Sequence, residues 1–540
     1  MTPATTTIET MATPGRLDPI TTEVIGSALF AITEEMSGAL MRTAYSPNIR
    51  ERGDCSTGLF DAEGRVLAQS QRLPLHMGSL LGSVQAVHRA HPADTLRPGD
   101  MFVANDPYHG GGSHLPDVNV VAPIFSHDRL IGYAASTAHH SDVGGIAAGS
   151  ESADCREIFQ EGLRLPPVRL VEAGRVNEDV IAIVALNSRV PGDRGGDLRA
   201  QIAANRVAEQ RLIELDDRYG SENLRGYLEA LLEATEKRIR ARYAEIAPGV
   251  YEHDEYMDPL PDGTPLRIHV RLEVRDGRLI FDFAGSSPQM PYARNVPLAA
   301  TAATAFCVVK TLLDPGIATN DGFYRSVEIH APESTIVNPV EPAPVGARAL
   351  SCGVLADAIA GVLSLAAPDR IVAGSGPHQL VVLAGLDDRS GSYFVNYETI
   401  AGALGATAAY DGLDAVRIYA SGAANLPVEA LERAFPLRIE RYELRDGSGG
   451  VGAHSGGRGI RRDYRILSES AQISLTGERH VEPALGVAGG GDGAPGRFLL
   501  NPGTEDETEL PRIARDLLLR AGDVLRVETP GGAGYGEAGR

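Results

Sequence analysis

The 540-residue sequence predicts a mixed fold of the α+β class. Three observations indicate it. Apolar residues recur at helical spacing in two long stretches, strand-like runs form hairpins around short turns, and residues 436–540 are glycine-rich with a β-like pattern. The length fits two or three domains, or one large irregular domain. We expect the boundaries near 250 and 435, with a disordered lead-in over 1–17.

The N-terminal region opens on a helix. Asp18 is a good N-cap and Pro19 suits the first helical position. The helix is expected to end near Thr43, with an apolar stripe at Ile20, Val24, Ala28, Ile32 and Met36. Two short strands around the turn at 61–64, a helix near 78–90 and a strand at 101–104 should follow.

The remainder of the chain continues the mixture. A long helical stretch is expected over 193–246, because Pro248-Gly249 stops it. Residues 266–286 alternate around an Asp-Gly turn and predict a hairpin. Helices are expected near 298–314 and 349–366, before the glycine-rich β part that ends in an extended tail.

The charge balance excludes some function classes. The net charge of −21 opposes binding to nucleic acid or to an anionic membrane surface. Residues 1–16 lack the apolar segment of a signal peptide, and we expect no apolar run long enough to cross a bilayer. We therefore expect a cytoplasmic protein that buries a sizeable core.

The cysteines point the same way. Cys55, Cys155, Cys307 and Cys352 are scattered and form no C-x-x-C pair, so neither a thiolate zinc site nor a redox motif is indicated. Free thiols fit a reducing compartment. Cys55 beside Asp54 is a weak alternative candidate for a nucleophile.

The most informative segment contains two histidines and an aspartate. Residues 105–117 read NDPYHGGGSHLPD, and 137–145 read TAHHSDVGG. The intervening residues predict a hairpin with strands at 118–125 and 130–139 around the turn 126–129. Residues paired across such a turn have numbers that sum to about 255.

This register predicts a metal site. Asp117 and His139 would be near cross-strand neighbours, with Cβ atoms roughly 5 Å apart. His114 lies three residues before Asp117. One carboxylate and two imidazoles at one point can bind a divalent metal. The alternative is that these polar groups only satisfy loop backbone donors. The glycine run 110–112 permits a close backbone approach.

Other familiar chemistry is missing from the sequence. The glycine-rich stretches 447–459 and 488–496 lack the G-K-[ST] ending of a phosphate-binding loop, so we interpret them as tight β-turns. No G-x-S-x-G nucleophile elbow occurs. Neither a nucleotide site nor a serine hydrolase site is therefore predicted on this chain.

Several polar residues lie around the metal candidate. Strand alternation predicts that His140 faces away from His139, as a supporting or a packed histidine. Asp142 is expected to orient a ligand imidazole. We predict His140 and Asp142 as the catalytic residues. More open roles remain for His76 (structural), Asp106 (loop capping or substrate contact), His109 (substrate contact), Arg348 and Glu398 (ion pair or helix cap).

Three phrases carry a family resemblance. IRERGDCSTGLFDAEGRVLAQ (49–69), NDPYHGGGSHLPDVNVVAPIF (105–125) and TAHHSDVGGIAAGS (137–150) resemble the hydantoinase B/oxoprolinase family, as does the ending TPGGAGYG (529–536). The resemblance runs from about Asp18 to Gly536. It implies one subunit of an ATP-dependent hydrolase of cyclic amides such as hydantoins, 5-oxoproline or lactams.

The resemblance also implies cofactors and a partner. It implies a zinc or manganese ion held by His114, Asp117 and His139, with Asp54 as a fourth ligand, in the region 18–250. ATP-Mg would bind a separate hydantoinase A-like ATPase subunit, in a complex such as a heterotetramer.

Two alternatives stay open. The first is a subunit of an ATP-dependent ketone carboxylase of the acetone or acetophenone type, which the chain length disfavours. The second is a scaffold subunit with a structural metal.

Overall fold

The computed structural model describes residues 17–419 and 421–539, so the predicted lead-in lies outside the described residues except for Leu17. Helices longer than one turn alternate irregularly with sheets. The α-helices are α1 (Pro19–Thr43), α2 (Pro47–Arg50), α3 (His76–Ala90), α4 (Glu178–Leu186), α5 (Pro191–Tyr219), α6 (Ser221–Tyr243), α7 (Leu298–Leu313), α8 (Asp321–Tyr324), α9 (Arg348–Ala366) and α10 (Val428–Ala434).

The strands of the N-terminal and central regions lie between these helices. They are β1 (Cys55–Asp61), β2 (Val66–Gln69), β3 (Met101–Ala104), β4 (Asp117–Ser126), β5 (Arg129–His139), β6 (Val168–Glu172), β7 (Arg175–Val176), β8 (Gly249–Met257), β9 (Leu266–Arg275), β10 (Arg278–Asp282) and β11 (Val327–His330).

The remaining strands belong to the C-terminal part. They are β12 (Gln379–Asp387), β13 (Ser392–Ile400), β14 (Leu437–Leu444), β15 (Ile460–Ile466), β16 (Ser470–Thr476), β17 (Arg497–Leu500), β18 (Thr508–Leu510), β19 (Ile513–Arg520) and β20 (Val524–Glu528).

These strands form four sheets, and the α+β class is confirmed. The first sheet has the order β2-β1-β5-β4-β3-β6-β7, and the second β11-β10-β9-β8. The third is β13-β12-β16-β19, and the fourth is β14-β15-β20-β17-β18. The third sheet joins strands from both sides of residue 435, where a boundary was predicted.

Both faces of the first sheet are covered. Helices α1 and α5 pack on one face, and α3 packs on the other. Helix α7 lies between α3 and α9, and α9 packs on β8 and β9 of the second sheet. Because β4 and β5 are covered on both sides, almost every residue along them is buried, polar or not. The site described below lies within this layered core.

Many predicted elements are confirmed. Asp18 caps α1 by accepting from the backbone N–H groups of Ile20 and Thr21, and α1 ends at Thr43. The hairpins at 55–69, 117–139 and 266–282 are present. The long helical stretch is two helices, α5 and α6, because the chain breaks at Gly220, whose φ is +74°.

The predicted apolar stripe of α1 is wrong in its first half. Ile20 and Val24 are 74% and 49% exposed, and the buried face is instead formed by Ile25, Leu29, Ile32, Met36 and Leu40. The choice between two stripes differs by one residue at the start, which helical periodicity alone does not resolve.

A second correction concerns apolar length. By length and composition alone, α1 and α9 reach what a membrane crossing requires, contrary to the expectation that no apolar run would. The most apolar window of α9 is 83% buried in the protein, so its composition is that of a core helix. The cytoplasmic location stays a prediction.

Candidate metal centre

The first sheet brings the predicted ligands to one edge. Asp117 begins β4, His139 ends β5, and the two are direct cross-strand partners, as predicted. Asp54 precedes β1, and its carbonyl accepts from the backbone N–H of His139 at 3.0 Å. His114 lies in the loop just before β4. Three adjacent strand ends thus point their polar residues at the same place.

The ligand atoms of His114, Asp117 and His139 lie within 4.8 Å of one another. Asp117 Oδ1 is 2.9 Å from His114 Nε2 and 3.4 Å from His139 Nδ1. All three residues are buried, and neither His114 Nε2 nor Asp117 Oδ1 has a well-aligned hydrogen bond to any described residue. Buried polar atoms without partners are unusual, and a divalent cation would satisfy these together.

His76 and Asp54 complete the surroundings. His76 is the first residue of α3, and its Nε2 lies 3.5 Å from Asp117 Oδ1 and 3.8 Å from Asp54 Oδ1. Its Nδ1 is 3.1 Å from the hydroxyl of Ser56. His76, interpreted from the sequence as structural, therefore faces the centre. Asp54 lies one residue farther out, and its role as a ligand stays a prediction.

An arginine and a serine hold the outer oxygen of Asp117. Arg348, at the start of α9, donates from Nη2 to Asp117 Oδ2 at 2.5 Å. The Ser113 hydroxyl donates to the same oxygen at 2.8 Å, and Arg348 also donates to this hydroxyl. Oδ2 is therefore saturated, and only Oδ1 is left for a metal. Such outer partners orient a metal-binding carboxylate.

The two imidazoles are oriented as well. His114 Nδ1 lies 2.9 Å from the carbonyl of Gly346 and 2.8 Å from Glu151 Oε1, so its Nε2 faces Asp117. The ring of Tyr397, on β13, stacks on His139 with centroids 4.3 Å apart. Arg348, Glu151 and Tyr397 are far from the motif in sequence, and no local signal marked them as neighbours of the centre.

The electrostatics suit a cation. Burial alone would raise the pKa of Asp117, but the charges of His114, Arg348 and His76 bring it well below its usual value. Burial and Arg348 lower the pKa of His114, yet Asp117 and Glu151 raise it overall to about 9. Positive charge is thus favoured at this position, and a metal would take the place of the histidine proton.

Comparison with known proteins agrees with this geometry. Residues 18–538 match the family model for hydantoinase B/oxoprolinase. The chain belongs to this family. A putative D-/L-hydantoinase from Pseudomonas sp. (strain NS671) has a B-type component that is 32% identical over 538 residues, which cover 96% of this chain and 90% of that component.

Two solved structures share the fold of this family member. The ATP-dependent caprolactamase from Pseudomonas jessenii aligns with a TM-score of 0.89 and 29% identity, covering 97% of this chain and 92% of that one. A nucleotide-free acetone carboxylase aligns with a TM-score of 0.88 and 20% identity, covering 96% of this chain and 76% of that one. The second likeness is one of fold alone.

The two predicted catalytic residues of this hydantoinase B family member lie beside the centre. His140 points to the opposite face, as predicted, and its Nε2 is 3.1 Å from Gln201 Oε1. Burial, and then Arg194, lower its pKa to about 3. Asp142 pairs with Arg189 at 2.9 Å and accepts from the backbone of Gly149. These contacts place both among the supports, and a catalytic role stays a prediction.

The remaining motif residues have clear partners. Asp106 caps its loop by accepting from the backbone N–H groups of Tyr108 and His109, and His109 lies 2.9 Å from Glu341. Asp106 and His109 line a surface cavity of about 740 Å³. Glu398 forms a buried ion pair with Arg462, which is the ion-pair alternative considered for it.

The glycine run serves close packing. A Cβ on Gly111, whose φ is +75°, would lie 2.0 Å from the carbonyl carbon of Gly82 in α3. A Cβ on Gly112 would lie 2.4 Å from the carbonyl oxygen of Asn105. The loop that carries His114 is thus pressed against α3, which carries His76.

The nucleophile alternative is disfavoured. Cys55 is fully buried, and burial together with Asp54 raises the pKa of its thiol to about 12. A reactive cysteine needs a lowered pKa and access to solvent. The other three cysteines are also buried and free.

Proposed function

We propose that this chain is the metal-bearing subunit of an ATP-dependent hydrolase of cyclic amides, acting with a hydantoinase A-like ATPase subunit. The observation that carries the proposal is the buried triad of His114, Asp117 and His139 with its unpaired ligand atoms. Family membership and relatives named for hydantoinase and caprolactamase activity support it.

The glycine-rich loops support a separate ATPase. A Cβ on Gly456 would lie 1.9 Å from the carbonyl oxygen of Gly532, and one on Gly531 would lie 1.8 Å from that of Ser448. These backbones pack against each other and leave no cradle for a triphosphate there. ATP is therefore assigned to the partner, and a heterotetramer is the expected form of the complex.

The residues present fit a zinc or manganese ion. His114, Asp117 and His139 would hold it, with Asp54 as a further ligand, and three donors leave a position open on a tetrahedral ion. When bound, the metal would polarise the carbon–oxygen unit of the substrate and lower the pKa of a water from about 15.7 toward 7. Arg348 fixes Asp117, and Tyr397 covers His139 against solvent.

The hydrolase is favoured over the carboxylase by overlap. The chain covers 92% of the caprolactamase chain at 29% identity, but only 76% of the acetone carboxylase chain at 20%. The open position on the metal favours a catalytic ion over a structural one, because structural zinc sites are closed by four protein ligands.

The test is to express the chain together with the product of the neighbouring gene. Hydantoin, 5-oxoproline, lactams and acetone would each be supplied with ATP. We expect ATP-dependent release of the ring-opened product from one cyclic amide, and no ATP hydrolysis by the isolated chain. Stoichiometric consumption of bicarbonate with a ketone would establish the carboxylase instead.

A further inference from the structure

A second buried polar cluster lies beside the metal centre and carries excess positive charge. Arg52 donates from Nη2 to the hydroxyl of Thr399 at 2.6 Å, and Arg417 donates from Nη1 to the same hydroxyl. Their other acceptors are neutral, such as the carbonyl of Ala424 for Arg52 and the hydroxyl of Ser421 for Arg417. Across residues 17–419 and 421–539, neither guanidinium has a carboxylate oxygen within 4.0 Å.

A histidine joins the two arginines. His378 is only 3% exposed, and its Nε2 has no hydrogen-bond partner in the part of the chain that the structure describes. Arg417 Nε is likewise buried and unpartnered there. Burial, and then the charges of Arg417, Arg52 and Arg348, hold the pKa of His378 well below its ordinary value. We call Arg52, Arg417 and His378 the arginine cluster.

The nearest carboxylates are engaged elsewhere. Both oxygens of Glu398 are used, one by Arg462 at 3.0 Å and the other by the hydroxyl of Tyr464 at 2.8 Å. Asp54 faces His76 and accepts from Asn48 at 3.4 Å. The positive charge of the arginine cluster is therefore not neutralised by direct contact.

The arginine cluster adjoins the metal centre. Thr399 follows Tyr397 by two residues on β13, so the two side chains share a face about 7 Å apart. Tyr397 stacks on His139, and the Arg52 guanidinium lies 5.5 Å from the Tyr397 ring centroid. Asn48 links the two sites, since it accepts from Arg52 and donates to the carbonyl of His139. One small molecule can therefore reach both.

We propose that the arginine cluster binds the anionic oxygen group of the substrate, namely the phosphoryl group of an activated amide, while the amide carbon lies at the metal centre. The inference rests on the proposed function, in which ATP activates the amide. Two guanidinium groups and one imidazole nitrogen match the several oxygens of a phosphoryl group, and guanidinium is well suited to phosphate. The cluster would hold that group and the inorganic phosphate released from it.

A carboxylate shares this chemistry. A ring-opened product, or a substrate such as 5-oxoproline, also carries an anionic oxygen group. Phosphate is preferred because every amide activated by ATP would carry a phosphoryl group, whatever its ring. The experiment therefore compares the two kinds of anion directly.

The test measures binding rather than turnover. Full-length chain, freed of metal by a chelator, is titrated with inorganic phosphate, acetate and 5-oxoproline, and the melting temperature and ³¹P line width are followed. We expect saturable binding of phosphate, stronger than that of either carboxylate. Arg417→Met should weaken phosphate binding about tenfold, because a charge-assisted hydrogen bond is lost. Arg417→Lys should retain part of it.

Controls separate the alternatives. Arg458→Met removes a partly exposed arginine that pairs with Asp414, three residues before Arg417, and should leave phosphate binding unchanged. If Arg52→Met does not fold, His378→Gln provides the second variant. Absence of phosphate binding, stronger binding of carboxylates, or binding that survives Arg417→Met would each overturn the inference. Failure of the proposed function would appear separately, as absence of ring opening in the complex.

Discussion

Two buried carboxylates, Asp117 and Glu398, are each paired with a buried arginine, yet they differ in what is left over. Both oxygens of Glu398 are bound, by Arg462 and by the Tyr464 hydroxyl. Only Oδ2 of Asp117 is bound, by Arg348 and Ser113, and Oδ1 faces imidazoles. A saturated carboxylate stabilises a fold, whereas an unsaturated one in the same kind of setting indicates a ligand.

The largest effect should come from removing a ligand of the metal. His114→Ala, Asp117→Ala and His139→Ala should each lose most of the bound metal, and with it the activity of the complex. Metal content of the purified variants, measured by plasma mass spectrometry, checks this. Full metal retention by His139→Ala would remove that residue from the ligand set.

Glu398→Gln should act on stability alone. It leaves the guanidinium of Arg462 buried without its carboxylate, which costs about 3–5 kcal/mol of unfolding free energy. Urea denaturation measures the loss, and metal content should match that of the wild-type chain. A variant of unchanged stability would show that the saturated pair is not structural.

Arg348→Met tests the support of Asp117. The carboxylate keeps its negative charge but loses the partner that fixes Oδ2, so we expect metal affinity to fall about 10–100-fold. Competition with a chromogenic chelator gives the affinity, and Arg389→Met, which removes a surface ion pair with Asp387, serves as the control. Equal affinities for the two variants would contradict a positioning role.

Asp54→Asn should have the smallest effect on the fold and decides the remaining ligand. If Asp54 binds the metal, the variant loses metal affinity and activity together, which is the result we expect. If it acts as a general base, metal is kept and turnover is lost. If it only caps its turn, both survive with a stability loss of about 1 kcal/mol.

The sequence predicted the metal candidate because its parts are local. The hairpin places Asp117 opposite His139 through short-range pairing, and His114 lies three residues away. Arg348, which decides which oxygen of Asp117 stays free, comes from α9, more than two hundred residues later in the chain. Such a contact depends on how the layers pack, and no periodicity in the sequence encodes it.

The same limit applies to whole faces. The start of α1 was predicted from a cap that involves adjacent residues, and it is confirmed. Its buried side was predicted from apolar spacing, and Ile20 and Val24 prove to be exposed because α5 covers the face that contains Ile25 and Leu29 instead. Only the packing partner distinguishes between two neighbouring apolar stripes.

The hairpin tip far from the centre limits how this chain can evolve. Ser126 pairs with Arg129 and Phe125 with Leu130, but a bulge after Phe125 shifts the pairing so that Ile124 meets Gly132 and Asp117 meets His139. Loss of one residue there would move His139 one step along β4, and a one-residue slip turns a side chain to the other face. Surface turns usually tolerate insertions and deletions. In this turn, chain length should be as restricted as a ligand's identity.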